Sequence, residues 1–507
     1  MANGLAGALR SVAKRRIFCG ALVASLSLVF NCAIALHNGL PVRRVQDEFS
    51  YLLAGDTFAH CRLTNPAPPF PEHFETPHVL LRPTYMSKYP PGQGIALAIG
   101  QWMSDQPIIG VWLATAAACA AIYWMLLAFV DGGWALVGGV IAVMHPELIA
   151  WSQTYWGGSV AVLGGALMIG AWGRLLQRIS MVNSLALGAA LAILANSRPY
   201  EGLILSIVPM IVLISRARGR SLSRLTVGLT VVLFPVALAM CYYNFRVTGH
   251  PFRMPFMEYS AQYDVYPKFW FLPKHPQPIY SSPAVASIHT DYERGDYDRL
   301  QTPGGVAAIS AQRLWQFISI YMRPYWLLAP LIIAAFFVCD SRLKWIWLTL
   351  VCFLAGICAE TWFMPAYSAP AAPLMVLMVV IGIQKLWSWN RPSRMVCGMI
   401  LLSWLATAAF PAAAPPPADA IRFGRADLIA QYPELQRGRQ LIFVQYQPGH
   451  LIHDEWVYNA ADLANSQIVW ARYLGKSADT PLIHYFPDRQ DWLLQIDGNQ
   501  LRLNRYP

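Results

Sequence analysis

Asp47 and Glu48 stand side by side just past the first long apolar stretch, in DEFSYLLAGDTFAHCRLTNP. The polar segment they open ends in SKYPPGQG, Ser87 to Gly94. Carboxylates are costly near the hydrocarbon region and persist there for chemistry or transport. Neighbours on a helix point about 100° apart, so the two cannot share one direction. One can face a reacting group while the other holds an acceptor, a metal or a basic neighbour. Asp56 falls on a related face of the same helix. By residue type alone the pair equally suits a solvated helix N-terminus, where acids match the dipole.

Cations come next. Lys88 precedes Tyr89, Pro90 and Pro91, which hold the backbone extended. It can bind the phosphate of a lipid-linked donor or snorkel to lipid headgroups. NSRPYEG, Asn196 to Gly202, joins two apolar stretches with almost no loop, so Arg198 and Glu201 lie at a membrane boundary. They can pair at i,i+3, but a buried ion pair must offset a large desolvation cost, which favours a working role. In HPELIAWSQTYWGGS, Tyr155 and Trp156 form either a sugar-stacking edge or close helix packing. Arg246 and Arg323 lie just outside apolar stretches, as phosphate contacts or as ordinary interfacial anchors.

The elements that must position these groups follow from composition. The chain has 507 residues, 56% hydrophobic and 13% charged, against about 25% charged in soluble domains. Its net charge of +11 sits largely in short loops and sets orientation, so it is no argument for nucleic acid. Eleven stretches are apolar enough to span: 17–36, 106–130, 134–151, 158–174, 183–197, 200–215, 224–243, 316–338, 344–362, 367–386 and 395–412. The first follows Arg10, Lys14, Arg15 and Arg16 and reads as a retained signal anchor, being longer than an ordinary signal core. The nine cysteines show no metal or disulfide spacing.

With the N-terminus cytoplasmic, the alternate short loops carry Arg174, Arg178, Arg216, Arg218, Arg220, Arg224, Arg342, Lys344, Lys385, Arg391 and Arg394, as the positive-inside rule asks. Segments 37–105 and 244–315 and the C-terminal tail then lie on the outer face. Within the first, Gly94 to Met103 reads as an interfacial helix. PAAAPPPA, Pro411 to Ala418, is an extended linker. The chain therefore divides into a membrane domain, 1–412, and a soluble domain, 413–507. LIFVQYQ and DWLLQID read as strands of the latter and IVWARYL as strand or helix. No GxxxxGK[ST], HExxH, CxxC…CxxC or GxSxG motif occurs, so ATP hydrolysis, a dedicated zinc site and a serine-hydrolase elbow lack support.

The acidic pair after the first span, the Lys-Tyr-Pro-Pro step before the second, and eleven spans together resemble the GT-C superfamily of membrane glycosyltransferases. Protein O-mannosyltransferases and bacterial aminoarabinose transferases of lipid A are the named groups it is most similar to. DEFSYLLAGDTF, MSKYPPGQG, YWGGS, NSRPYEG and YYNFRVTGHPFRMP look like an uncharacterised bacterial group of such enzymes, over nearly the whole chain. The resemblance implies an α-helical polytopic membrane protein of GT-C type with about eleven transmembrane helices and a small C-terminal α/β periplasmic domain. It sits in a bacterial inner membrane with the N-terminus cytoplasmic. It implies transfer of a hexosyl or pentosyl group from a polyprenyl-phosphate donor to a lipid, glycan or protein acceptor, with inversion.

Asp47 would be the general base, with Glu48 assisting. Lys88, Arg198, Arg246 and Arg323 would bind donor phosphate. Tyr89, Tyr155, Trp156 and Glu201 would contact substrate. The family's Lys directly precedes its prolines, whereas Tyr89 intervenes here, and Arg198 stands where a Lys is common. Mg²⁺ or Mn²⁺ is conceivable at Asp47 and Glu48, although hard cations want more oxygen ligands than the segment supplies. The rivals are a transporter or lipid flippase, with charges near the midplane, and a non-catalytic scaffold.

Overall fold

The computed structural model describes residues 15–43, 45–323, 325–336, 343–409, 424–447, 450, 454–498 and 500–506. Among them six helices are long and apolar enough to cross a membrane, or eight if each of two bent pairs is one span. The six are Arg16–Asn38, Pro107–Leu126, Gly158–Gln177, Pro199–Arg216, Arg220–Thr248 and Pro365–Trp389. Each coincides with an expected stretch. The other expected stretches are also helical but differ in detail.

Two are short for a span, which takes about 20 residues: Met181–Ala195 and Leu343–Ala359. A third, 134–151, is broken by 53° between Gly132–Val143 and Pro146–Ser152, where His145 caps the second piece by accepting from the Glu147 N–H. A fourth, 316–338, is broken by 100° and starts at Pro303. The polar segment expected to run to 315 therefore ends at Thr302. TPGG reads as loop because of its glycines. Here Thr302 is an N-cap, its hydroxyl accepting from Gly305 N–H at 3.1 Å, with Pro303 at the first helical position. The last stretch corresponds to Arg391–Ala409. The linker at 411–418 lies outside the described residues.

The helical core is built on Pro107–Leu126, Gly158–Gln177 and Pro365–Trp389, around buried Trp172, Leu205, Phe317 and Phe353. Next to it lies the segment that follows the first helix. Gln46–Ala59 is helical, a small sheet of Asn65–Pro66, Thr84–Ser87 and Val79–Leu80 follows, and Pro91–Ser104 is a second helix. That helix exposes Ile95, Ile99, Trp102 and Met103, a row suited to an interface.

The tail folds as a four-stranded sheet in the order Ile468–Arg472, Arg439–Tyr446, Arg489–Asp497, Gln500–Arg505. Its first two pairings are parallel and the last antiparallel. Helix Lys476–Tyr485 joins Ile468–Arg472 to Arg489–Asp497, crossing over the strand that lies between them. The sheet's own core holds Ile442, Trp456, Trp470 and Trp492. Its other face shares a core with the segment after the first helix: Leu53, Phe74, Leu81 and Tyr85 pack with Leu441, Phe443, Val469 and Tyr506. Buried polar ties join the same surfaces. His73 Nε2 lies 3.1 Å from Asp479 Oδ1, and Asp56 Oδ2 accepts from Ala461 N–H at 2.7 Å. Asp56 is thus taken up by the tail rather than by the acidic pair.

Candidate active site

Helix Gln46–Ala59 begins with both acids in its first turn, and they diverge as helical neighbours must. Glu48 is buried. Its Oε2 accepts from the Val45 N–H at 3.4 Å, the return half of a capping arrangement, and its Oε1 accepts from the Tyr155 N–H at 3.0 Å. Asp47 turns the other way, and Tyr89 donates its hydroxyl to Oδ1. His78 Nε2 stands 3.6 Å from Oδ2, and 27% of the Asp47 side chain remains accessible. Burial alone would raise the Asp47 pKa. His78, the Tyr89 hydroxyl, Lys88 and Arg198 together outweigh burial and hold it below the usual carboxylate range. Burial and the adjacent Asp47 push Tyr89 far above its ordinary value, so it stays a donor.

Local bonds fix these groups. Ser50 Oγ donates to His78 O at 2.6 Å and shares a hydrogen bond with Ser87 Oγ at 2.7 Å. Lys88 N–H donates to the same His78 carbonyl at 3.1 Å. His78 has φ +67°, a left-handed conformation unusual for a non-glycine residue, and such outliers cluster at functional sites. Tyr89 stacks on Tyr51, with centroids 4.2 Å apart. Lys88 Nζ lies over the Tyr259 ring at 4.5 Å and forms no ion pair among the described residues. Beside it runs a narrow, mostly apolar pocket lined by Lys88, Pro90, Tyr243, Asn244, Met254 and Phe256.

Gly92 brings the prolines to the second cation. Its N–H donates to Asn196 O at 2.7 Å. A Cβ there would sit 2.6 Å from that oxygen, so only glycine permits the approach. Two residues on, Arg198 lies 4.7 Å over the Tyr367 ring, and its buried Nε has no hydrogen-bond partner. Glu201, one turn into the following helix, is buried with Glu360. Lys268 Nζ reaches both, at 3.9 Å and 3.0 Å. The segment around Lys268 is pinned by Thr361 N–H to Lys268 O at 2.7 Å and Trp270 Nε1 to Cys358 O at 3.1 Å. Arg313, itself buried, donates to the carbonyls of Glu360 and Thr361.

No protein-family profile and no curated protein matches the chain. Solved structures do. The chain is similar to the apo oligosaccharyltransferase of Archaeoglobus fulgidus at 11% identity and TM-score 0.44, over 79% of this chain and 55% of that one. It is similar to ArnT from Cupriavidus metallidurans bound to undecaprenyl phosphate, at 13% and 0.45, over 82% and 67%. It is also similar to the arabinofuranosyltransferase AftD from Mycobacteria, at 13% and 0.43, over 94% and 35%. The likeness is one of fold and carries no residue's role. The chain spans about half the length of the archaeal enzyme and about a third of AftD.

Of the residues singled out from sequence, Asp47, Tyr89, Lys88 and Arg198 come together, with Glu201 beside Arg198. Tyr155 is buried; besides meeting Glu48, its carbonyl accepts from Gln93 Nε2 at 2.9 Å and its hydroxyl donates to Pro41 O at 3.0 Å. Trp156 keeps a buried indole N–H with no partner. Arg246 and Arg323 are exposed. Arg246 bonds Tyr242 at 3.2 Å, Arg323 acts electrostatically on Glu147, and neither has a described contact with the Asp47 group. His78, Tyr51, Tyr259, Tyr367, Lys268 and Glu360 were not read from the sequence. They come from separate segments, and no local spacing marks them.

Proposed function

We propose that this chain is a membrane glycosyltransferase that moves a sugar from a polyprenyl-phosphate donor to an acceptor hydroxyl. The observation that carries the reading is the grouping of one depressed-pKa carboxylate, Asp47, with two cations, Lys88 and Arg198, neither of which is neutralised by a close ion pair among the described residues. Asp47 takes the acceptor proton as the new bond forms from that oxygen to the sugar's C1. The bond from C1 to the phosphate oxygen breaks, and its electron pair leaves with the polyprenyl phosphate. Phosphate is a weak base and needs no general acid. It needs fixed positive charge, which Lys88 and Arg198 supply without reorganising. Direct displacement inverts the sugar. Glu48, bonded to two backbone N–H groups, positions the helix that aims Asp47. Tyr89 orients the base.

Topology supports the same reading. The segment after the first helix and the tail share a core, so both lie on one side of the membrane. An even number of crossings must therefore separate them, and the total is odd. Eleven meets this, with the bent pairs and the three remaining apolar helices each crossing once. The basic residues of the short loops support an outer location for that shared side, with the tail as a periplasmic domain.

The test uses the full chain in lipid nanodiscs, with the lipid-linked sugars extracted from wild-type and deletion cells as candidate donors. A labelled product should form with wild type and fall at least 100-fold with Asp47→Asn. Undecaprenyl phosphate should bind both proteins equally and bind Arg198→Gln more weakly. Unchanged turnover in Asp47→Asn, or a trapped glycosyl-enzyme, would overturn the proposal.

A further inference from the structure

Asp264, His289 and Glu293 place three potential metal ligands within 4.8 Å of one another, the only such group among the described residues. Neither Asp47 nor Glu48 belongs to it. His289 Nδ1 lies 3.1 Å from Glu293 Oε2 and 3.5 Å from Asp264 Oδ1. His289 is fully buried, and the two carboxylates are 18% and 13% accessible. One imidazole proton at Nδ1 cannot satisfy two poorly solvated carboxylates. The nearby cations are engaged elsewhere, since Lys274 Nζ and Arg294 Nε both hold Asp298, at 3.0 Å and 2.8 Å.

We infer that Asp264, His289 and Glu293 bind one divalent first-row transition metal, of the Mn²⁺ or Zn²⁺ type. One imidazole nitrogen and two carboxylate oxygens are the donor set such ions take. Ligand atoms bound at about 2.1 Å lie about 3.0–3.4 Å apart, close to the spacings seen at His289. The far side of the imidazole is also arranged as metal-bound histidines require. Nε2 is hydrogen-bonded to the Tyr259 hydroxyl at 3.0 Å, which fixes the ring and leaves Nδ1 toward the two carboxylates. His289 sits in a single π-helical turn, Ile288–Tyr292, a local irregularity frequent at functional sites. Glu75 adds negative charge nearby; its carboxylate accepts from Ser282 N–H at 2.6 Å.

The ion touches no substrate in this arrangement. It ties the end of helix Pro255–Tyr263, at Asp264, to the turn that carries His289 and Glu293. It thereby fixes Tyr259, whose ring underlies Lys88 and whose hydroxyl accepts from the His78 N–H at 2.9 Å. His78 in turn faces Asp47. The three ligands are positioning residues for the cluster, and the site stands whether or not that cluster transfers sugar.

The experiment takes detergent-purified full-length protein, strips it with EDTA, dialyses it and titrates it with Mn²⁺ and separately with Zn²⁺. Bound metal is counted by mass spectrometry and Mn²⁺ by EPR. Wild type should bind one ion per chain and unfold at a higher temperature with it. Asp264→Asn and Glu293→Gln are near-isosteric and should bind at least 10-fold more weakly. Both should lose the metal-dependent thermal gain while keeping the metal-free unfolding temperature to within a few degrees. Tyr259→Phe should retain the ion with weaker affinity. Equal metal binding by wild type and Glu293→Gln would overturn the site. So would absence of binding at millimolar metal.

Discussion

Tyr89, the residue that separates Lys88 from the two prolines, is the place to test whether Asp47 is a base. Tyr89→Phe removes one hydroxyl and keeps the ring stacked on Tyr51, so the fold is preserved. A hydrogen bond to a charged group contributes about 1.5–3 kcal/mol, and about 1.4 kcal/mol corresponds to a tenfold change in a proton equilibrium. The bond stabilises ionised Asp47, so its loss raises the carboxyl pKa. The acid limb of the kcat/KM profile should therefore move up by roughly one to two pH units. The same sign applies to stability: the Asp47 contribution is present above its unfolded pKa and lost as pH falls through the folded one. His78→Gln should move the limb the same way by a step at least as large, since His78, 3.6 Å from the carboxylate, is the strongest of the groups that hold Asp47 low. The assay is product formation from about pH 2 to about pH 7, which brackets the ordinary carboxylate value on both sides. An unmoved limb in Tyr89→Phe, or a limb that survives in Asp47→Asn, would refute the assignment of Asp47 as the titrating base.

Arg198→Gln should lower kcat by roughly 100–1,000-fold, as loss of a transition-state donor does, whereas Arg246→Gln and Arg323→Gln should stay within a few-fold of wild type; steady-state kinetics separate them. Lys268→Met leaves Glu201 and Glu360 buried without their shared cation, and should cost about 3–5 kcal/mol, read as lowered thermal stability in detergent. His73→Ala should strip a buried partner from Asp479, costing about 1–3 kcal/mol and speeding hydrogen exchange in both the tail sheet and residues 71–74. Truncation at residue 423 uncovers Leu53, Phe74, Leu81 and Tyr85, each stabilised by roughly 1.5–3 kcal/mol through burial, and should give aggregated protein in size-exclusion chromatography.

Most of the helices were legible because apolar runs of span length admit few alternatives. The breaks were not. The 53° bend at His145 depends on a side-chain cap, and the helix start at Pro303 on a threonine cap that glycines disguise. For the candidate site, Asp47, Lys88 and Arg198 stood out because charge is conspicuous in a chain this apolar. Sequence reading treated Tyr89 as an interruption of the cation's aim, whereas it bonds the carboxylate directly. His78, Tyr259 and Tyr367 are ordinary residues in polar stretches, gathered only by folding across some 290 positions. Arg313 was not singled out in the sequence, yet its guanidinium serves buried carbonyls. Lysine at 268 gave no hint of reaching two acids from distant segments.

The joint between the tail sheet and the segment after the first helix sets a timetable for biogenesis. Tyr85 and its neighbours are translated about 350 residues before Leu441 and Phe443, a lag of roughly 20–70 s at 5–20 residues per second. Throughout that interval the early segment has already left the ribosome with its greasy side uncovered. A nascent chain in this state invites capture by holdases or by its own siblings, and any slowing of elongation lengthens the exposure.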